Sequence, residues 1–346
     1  MLHIELFHQI TPFKFPFTIS GGRTKSHQES LLVKISNGYV SGWGESPAIA
    51  YYNVSVPNMI EKINAKLEPI RKFTITDPLR FGHFLYHLFP QDPFIVNALD
   101  MAGWDYFGQI SQKKLYEIFN TDWLHIPEVM VTIGISSLAE MKLKMAEYKV
   151  GRYKFKLGFP NDIEFIKQHP ELFKGRWVAD CNGGWSPEDC LHKLTAMAEF
   201  KPDFIEQPLA IKDHDLLKKI KNNCNINLFS DESFQNKNDL LFCSEAYHGI
   251  NIKLTKCGGI SAALSIIKEA KKLGLKIMMG SMNETLIGSL AIIHFLPQLD
   301  YVDADGLLLL KDQPLSEIYE FYNDHISFKN PSGYGLGLPH NFNVEV

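Results

Sequence analysis

From residue 129 onward, short apolar runs alternate with amphipathic stretches. The runs are VMVTIGI (129–135), YKFKLG (153–158), WVADCN (177–182), DFIEQP (203–208), NLFSDES (227–233), GINIKLT (249–255), KIMMGS (276–281) and YVDADG (301–306). Their length and apolar character predict strands. Between them, SPEDCLHKLTAMAEF (186–200) and GISAALSIIKEAKKLG (259–274) carry apolar residues at helical spacing. Ser186 followed by Pro187 is a helix start, and Gly274 is a helix stop. Eight strands alternating with helices in under 200 residues predict an α/β fold with a closed parallel barrel, an open doubly wound sheet being the alternative.

The first 125 residues follow another pattern. Strands (HIELFHQI, SLLVKIS, YVSGWGE) come first, then helical patterns near 57–70, 78–88 and 94–107. This predicts an α+β unit over 1–125 ahead of a barrel over 126–324. The Gly/Pro-rich tail 325–346 is expected to return to the first unit.

Composition mostly excludes. The 346 residues are 45% hydrophobic and 21% charged, with net charge −4 and no Lys/Arg cluster, which argues against nucleic-acid binding. No apolar run approaches a membrane span, and the N-terminus MLHIELFHQI does not read as a signal peptide. Five cysteines without a C-x-x-C pair fit free thiols in a reducing cytoplasm. Oligomeric state stays open, a homo-oligomer included.

The charged residues at the strand ends carry the chemistry. Lys154 and Lys156 share one face of their strand, opposite Tyr153, Phe155 and Leu157. Then follow Asp180, Glu206, Asp231, Lys253, Glu284, and finally Asp303 with Asp305. The steps from Lys156 to Asp180, Glu206 and Asp231 are 24, 26 and 25 residues, one β–α unit each. A single Asp or Glu after a strand is ordinarily a helix cap, and Glu284 alone reads as a first-turn acid. A series at unit spacing delivers carboxylates to one rim, where without a cation they would repel and raise one another's pKa. Three such oxygens suit one Mg²⁺, with Mn²⁺ as a substitute, while Cys181 and Cys257 read as packing residues. Lys253 shares a face with Asn251 and Thr255 and points inward; Lys256 reads as a loop charge. Lys156 and Lys253 are then bases on either side of a metal-bound carboxylate, with Lys154 as the neighbouring ammonium that lowers the pKa of Lys156.

Taken together, KFK, ADCN, IEQP, SDES and NIKLTKCGG resemble the enolase superfamily, specifically its muconate-lactonizing-enzyme subgroup. The resemblance implies a modified (β/α)7β barrel with an N-terminal capping domain, and metal ligands at Asp180, Glu206 and Asp231. It also implies a proton-transfer mechanism over an ene-diolate, general to that superfamily. Asn182 and Glu284 join the substrate-binding residues on this basis. The pair Asp303 and Asp305 is similar to the D-x-D of dipeptide epimerases, which holds a free substrate ammonium by charge-assisted hydrogen bonds. The expectation is a Mg²⁺-dependent dipeptide epimerase acting at the α-carbon of the C-terminal residue. An N-acylamino acid racemase or o-succinylbenzoate synthase is the alternative. A metal-binding barrel without catalysis would give no reason for both lysines. The closing loops are expected to be SGGRTKSH (20–27) and ESPAIAYYN (45–53), with Ile49, Tyr51 and Tyr52 as apolar walls. Arg23 stands where relatives that epimerise Ala-Glu carry an arginine. A dipeptide Ala-Xaa with apolar Xaa is favoured, with Ala-Glu close behind.

Overall fold

The structure, a computed structural model, describes residues 1–18, 24–322, 325–339 and 342. The chain opens with an antiparallel sheet in the order β1 (His3–Thr18), β2 (Thr24–Ser36), β3 (Ser41–Pro47). β1 is longer than the run HIELFHQI predicts. Its register with β2 shifts between Pro12 and Phe17, and the arm beyond reaches the barrel, where Lys311 N donates to Pro12 O at 2.9 Å. Proline cannot donate to a ladder, so it stands where the pairing is interrupted.

The helical patterns form Val56–Ala65, Pro78–Leu88 and Pro93–Ser111. The last is buried along most of its length because it lies between the sheet and the barrel. It approaches β3 so closely that a Cβ on Gly42 would fall 2.1 Å from Tyr106 N, and one on Gly44 2.0 Å from Ala98 O. Only glycine lets strand and helix touch there.

Eight parallel strands follow: β4 (Met130–Ile133), β5 (Arg152–Lys156), β6 (Arg176–Asp180), β7 (Phe204–Glu206), β8 (Asn227–Ser230), β9 (Gly249–Ile252), β10 (Lys276–Gly280) and β11 (Tyr301–Asp303). They pair in sequence order, and β11 comes back beside β4. That seam is bridged by side chains: Thr132 N donates to Asp305 Oδ2 at 2.7 Å, and Thr132 Oγ1 to Asp303 Oδ1 at 3.3 Å. Helices alternate with the strands. Ser186 Oγ accepts from Asp189 N at the head of Pro187–Ala198, and Gly274, with φ of +70°, follows the end of Ile260–Lys272.

The barrel interior is layered. Met130, Val178, Phe204, Phe229, Met278 and Tyr301 form an apolar cluster, with Phe204 and Phe229 stacked at 4.1 Å. Val178, Phe204, Phe229 and Tyr301 each stand two residues before one of the rim acids Asp180, Glu206, Asp231 and Asp303, on the same face. A dry floor therefore lies under a charged rim. Among the described residues no helix is long and apolar enough to cross a membrane.

Buried acids tie the N-terminal unit to barrel helices. Glu45 accepts from Ser30 Oγ, Thr285 N and Thr285 Oγ1, all at 2.8 Å, and from Gly288 N at 2.9 Å, at the start of helix Leu286–Ile293. Asp100 accepts from Ser261 N at 2.9 Å and Ser261 Oγ at 2.6 Å, at the start of Ile260–Lys272. Asp105 holds Trp43 N and, from the tail, Leu336 N, both at 2.8 Å. Free N–H groups and the positive dipole end make a helix start a favourable seat for a carboxylate.

Burial nevertheless pushes the Asp100 carboxyl up to about 7, against its bonds to Ser261 and Ile260. The folded chain then holds a proton that an unfolded aspartate, at 3.8, gives up between those two values. The contribution of Asp100 to stability therefore shrinks as pH rises from about 4 to 7 and is constant above that. Asp100→Asn should flatten the pH dependence of unfolding in that window, by at most about 1.4 kcal/mol per pH unit. Calorimetric unfolding of both proteins near pH 4.5, 6 and 7.5 checks this, and parallel curves would exclude it.

Candidate active site

The strand register builds the site. β5, β6 and β7 pair so that Lys156 lies beside Asp180 and Asp180 beside Glu206. Two residues earlier on β5, Lys154 is 2% exposed and its Nζ lies 2.9 Å from Asp180 Oδ2, 2.7 Å from Glu206 Oε2 and 2.7 Å from Asp303 Oδ2. Burial opposes its charge, but Asp180, Asp303 and Glu206 prevail and hold the amine well above the usual lysine range. The lysine is thus an internal counter-ion.

The other two sequence-assigned lysines lie around it. Lys156, 29% exposed at its side chain, donates to Asp180 Oδ2 at 2.6 Å and to Asn182 Oδ1 at 3.0 Å. Lys253 stands just past β9 and donates to Asp231 Oδ2 at 2.8 Å. β5 and β9 are four places apart in a ring of eight, so these two ammonium groups enter from opposite sides. Lys253 is not lowered toward neutrality. Burial pulls it down, but Asp231 in direct contact raises it above the ordinary value.

Lys256 corrects the sequence reading. Ile252 ends the strand, and a buried helical turn, Leu254–Cys257, carries Lys256 back under the rim. Its Nζ donates to Asp231 O at 2.6 Å and Asp231 Oδ1 at 2.7 Å. Asp231 is therefore gripped by two ammonium groups, and despite burial its carboxyl falls far below the usual carboxylate range. Asp180 falls to about 2, burial being outweighed by Lys154 and Lys156. Glu206 moves the other way, to about 8, through burial and the charges of Asp180 and Asp231. Asn251 Nδ2 donates to its Oε1 at 2.7 Å, while its Oε2 faces the Lys154 ammonium.

The remaining assigned residues sit around this cluster. Asn182, in the left-handed region at φ 43°, links Lys156 to Glu232 Oε1 at 3.0 Å. Glu284 is buried, accepts from Met282 N at 2.6 Å, and is pushed up to about 7 by burial and by Glu45. Asp305 is raised by burial and by Asp303. Burial, with the charge of Asp231, pushes the Tyr52 hydroxyl up to about 12. Tyr51 is 68% exposed and meets Tyr52 ring to ring at 5.0 Å. Arg23 lies outside the described residues.

Glu45 and Glu232 belong to the surroundings of the site without having been singled out in the sequence. Glu232 follows Asp231 in SDES and Glu45 ends GWGE, signals that a closer reading of those two motifs would hold. Among the described residues no three His, Cys, Asp or Glu side chains are spaced to hold a metal ion as they stand. Asp180, Glu206 and Asp303 converge on the Lys154 ammonium instead. The donor set nonetheless fits a hard divalent cation. It is all oxygen, and it sets seven carboxyls (Asp180, Glu206, Asp231, Glu232, Glu284, Asp303, Asp305) against four lysines.

Comparison with known proteins agrees with this arrangement. A family model described as enolase C-terminal domain-like matches residues 137–341. An L-Ala-D/L-amino acid epimerase of Maribacter sp. is 35% identical over 339 residues, covering 97% of this chain and 99% of that one. The substrate-liganded L-Ala-D/L-Glu epimerase of Bacillus subtilis is 26% identical, with a TM-score of 0.86 over 97% of each chain. A dipeptide epimerase of Enterococcus faecalis, complexed with Mg and L-Leu-L-Tyr, is 25% identical, with a TM-score of 0.86 over 98% of this chain and 99% of that one. This chain therefore belongs to the enolase C-terminal domain-like family, as a dipeptide-epimerase-like isomerase of the enolase superfamily.

Proposed function

We propose that the protein is a Mg²⁺-dependent dipeptide epimerase that inverts the α-carbon of the C-terminal residue of Ala-Xaa dipeptides, with apolar Xaa favoured and Ala-Glu next. The observation that carries this is the pair Lys156 and Lys253, entering from opposite sides of one carboxylate cluster and each in contact with one of its acids. Two amines so disposed can remove a proton from one face of a carbon and return it on the other.

In this reading Asp180, Glu206 and Asp231 hold the divalent ion, Mn²⁺ being an acceptable substitute. When bound, the ion withdraws charge from the substrate carboxylate and acidifies the adjacent C–H. Lys156 as free amine takes the proton from one epimer while Lys253 as ammonium donates from the other side, and the roles exchange for the reverse reaction. Lys154 stays charged and compensates Asp180, Glu206 and Asp303. Lys256 keeps Asp231 ionised and fixes one of its oxygens. Asp303 and Asp305 take the substrate ammonium, which favours a free N-terminus over an N-acyl group. Tyr52, its ring 5.5 Å from Phe94, offers an apolar wall for Xaa and supports the preference for an uncharged side chain. The name of the Maribacter relative supports the breadth of Xaa, and the Enterococcus complex supports both Mg²⁺ and an apolar dipeptide. We assign the capping role to residues 1–125 with the returning tail, catalysis to 126–324, and, from the free cysteines, a reducing cytoplasmic setting.

The two-base assignment predicts that Lys156→Ala and Lys253→Ala each abolish epimerisation but leave α-proton exchange of one epimer, a different one in each variant. Deuterium incorporation from D₂O measures this. Epimerisation near the wild-type rate in Lys253→Ala would exclude the assignment.

Removal of the metal should abolish turnover, restored by added Mg²⁺, and Asp231→Asn should weaken Mg²⁺ binding measured by calorimetry. Full activity in excess chelator would sink the metal-assisted mechanism.

For the substrate, kcat/KM for Ala-Val or Ala-Leu should equal or exceed that for Ala-Glu. N-acetylation should lower it by roughly 100-fold, the loss of about two charge-assisted bonds. A clear Ala-Glu preference that vanishes in Arg23→Ala would overturn the apolar choice, and equal turnover of N-acetyl dipeptides would favour the N-acyl racemase alternative.

A further inference from the structure

The segment that follows Lys156 is held by a buried charge pair outside the carboxylate cluster. Asp162 opens the helix Asp162–Gln168 and is fully buried. Its Oδ1 accepts from Lys193 Nζ at 2.7 Å and Ile163 N at 2.9 Å; its Oδ2 accepts from Trp185 Nε1 at 2.6 Å and Gly158 N at 3.1 Å. Lys193, on the helix Pro187–Ala198, also donates to Phe159 O and Pro160 O, both at 3.2 Å. One carboxylate and one ammonium thus bind the backbone of residues 158–160 at three points.

That backbone is what positions Lys156. Leu157 N donates to Asp180 O at 2.8 Å. Gly158, at φ +90°, lies so close to the next loop that a Cβ there would fall 2.3 Å from Cys181 O, and one on Gly184 would fall 2.4 Å from Gly158 O. The segment therefore rests directly on residues 181–184, which carry Asn182, an acceptor of Lys156. Lys253 is held from elsewhere, by Asp231 just past β8, itself gripped by Lys256. Burying an ion pair is a poor route to stability compared with apolar packing, and its attested use is to fix one geometry.

We infer that Asp162, with Lys193 and Trp185, is a positioning residue for Lys156 and so governs one of the two proton transfers and not the other. This rests on the two-base reading above. Displacing a reacting group by about 1 Å can lower a rate by up to roughly 100-fold. Exchange through Lys156 should therefore fall about 10-fold or more in Asp162→Asn, while exchange through Lys253 stays within about threefold of wild type.

The test follows α-proton exchange in D₂O from each Ala-Val epimer separately, with Mg²⁺ present. The proteins are wild type, Lys156→Ala, Asp162→Asn and Trp185→Phe. Lys156→Ala identifies which epimer exchanges through Lys156. The expected result is a loss in kcat confined to that epimer in Asp162→Asn, and a smaller loss of the same asymmetry in Trp185→Phe, which removes one donor and no charge. Equal slowing of both epimers would mark the pair as a general structural element and overturn the inference while leaving the two-base reading intact. Should Asp162→Asn fail to fold, Trp185→Phe decides by the same comparison. A wild type that exchanges neither epimer removes the two-base reading and this inference with it.

Discussion

The structure turns on an ammonium group buried among carboxylates. Lys154 can lie inside a barrel because Asp180, Glu206 and Asp303 surround it, and those acids are in turn compensated by its ammonium. An unpaired ion in that setting would be prohibitively unfavourable, so the charges must arrive together and at one height. Parallel register supplies the height, since Lys156, Asp180 and Glu206 are lateral neighbours across three strands. The apolar layer beneath keeps water away from the underside and strengthens every interaction above it.

Compensation is graded around the rim. Asp231 has two lysines and is the most strongly ionised; Asp180 shares two; Glu206, facing other acids, is pushed toward the protonated form. A rim with such uneven acids has a natural place for one more cation near Glu206, which burial and the charges of Asp180 and Asp231 push up to about 8. The same principle extends to the domain boundary. Glu45 and Asp100 are buried against helix starts rather than against lysines, where backbone N–H groups hold them although burial still raises both carboxyls. Glu45 thereby fixes the end of β3, from which the chain runs directly into the loop that carries Tyr52.

Much of this was legible in the residues. Strand parity separates Lys154 and Lys156 from Phe155, and the intervals of one β–α unit carry Asp180, Glu206 and Asp231 to the same rim. Both are local properties of a period-two strand and a repeating unit, so they survive translation from chain to fold. Lys256 was misread for the same reason. A strand continued past Ile252 would leave it in a loop, but the chain turns into a helix there, and three residues of helix bring Lys256 back beneath Asp231.

The sequence by itself determined the strand–helix alternation and the charged residues at the strand ends, because periodicity and unit spacing are written in neighbouring residues, while its resemblance to the enolase superfamily implied the barrel and the class of chemistry. Only the tertiary structure decided which acid each lysine meets, that Asp305 bridges the barrel seam through Thr132, and that Tyr52 packs on Phe94 while Tyr51 faces solvent. It also decided that Glu45 and Asp162 are anchors, partnered with residues 240 and 31 positions away. Such pairings depend on how separate elements approach one another, and no local pattern encodes that distance.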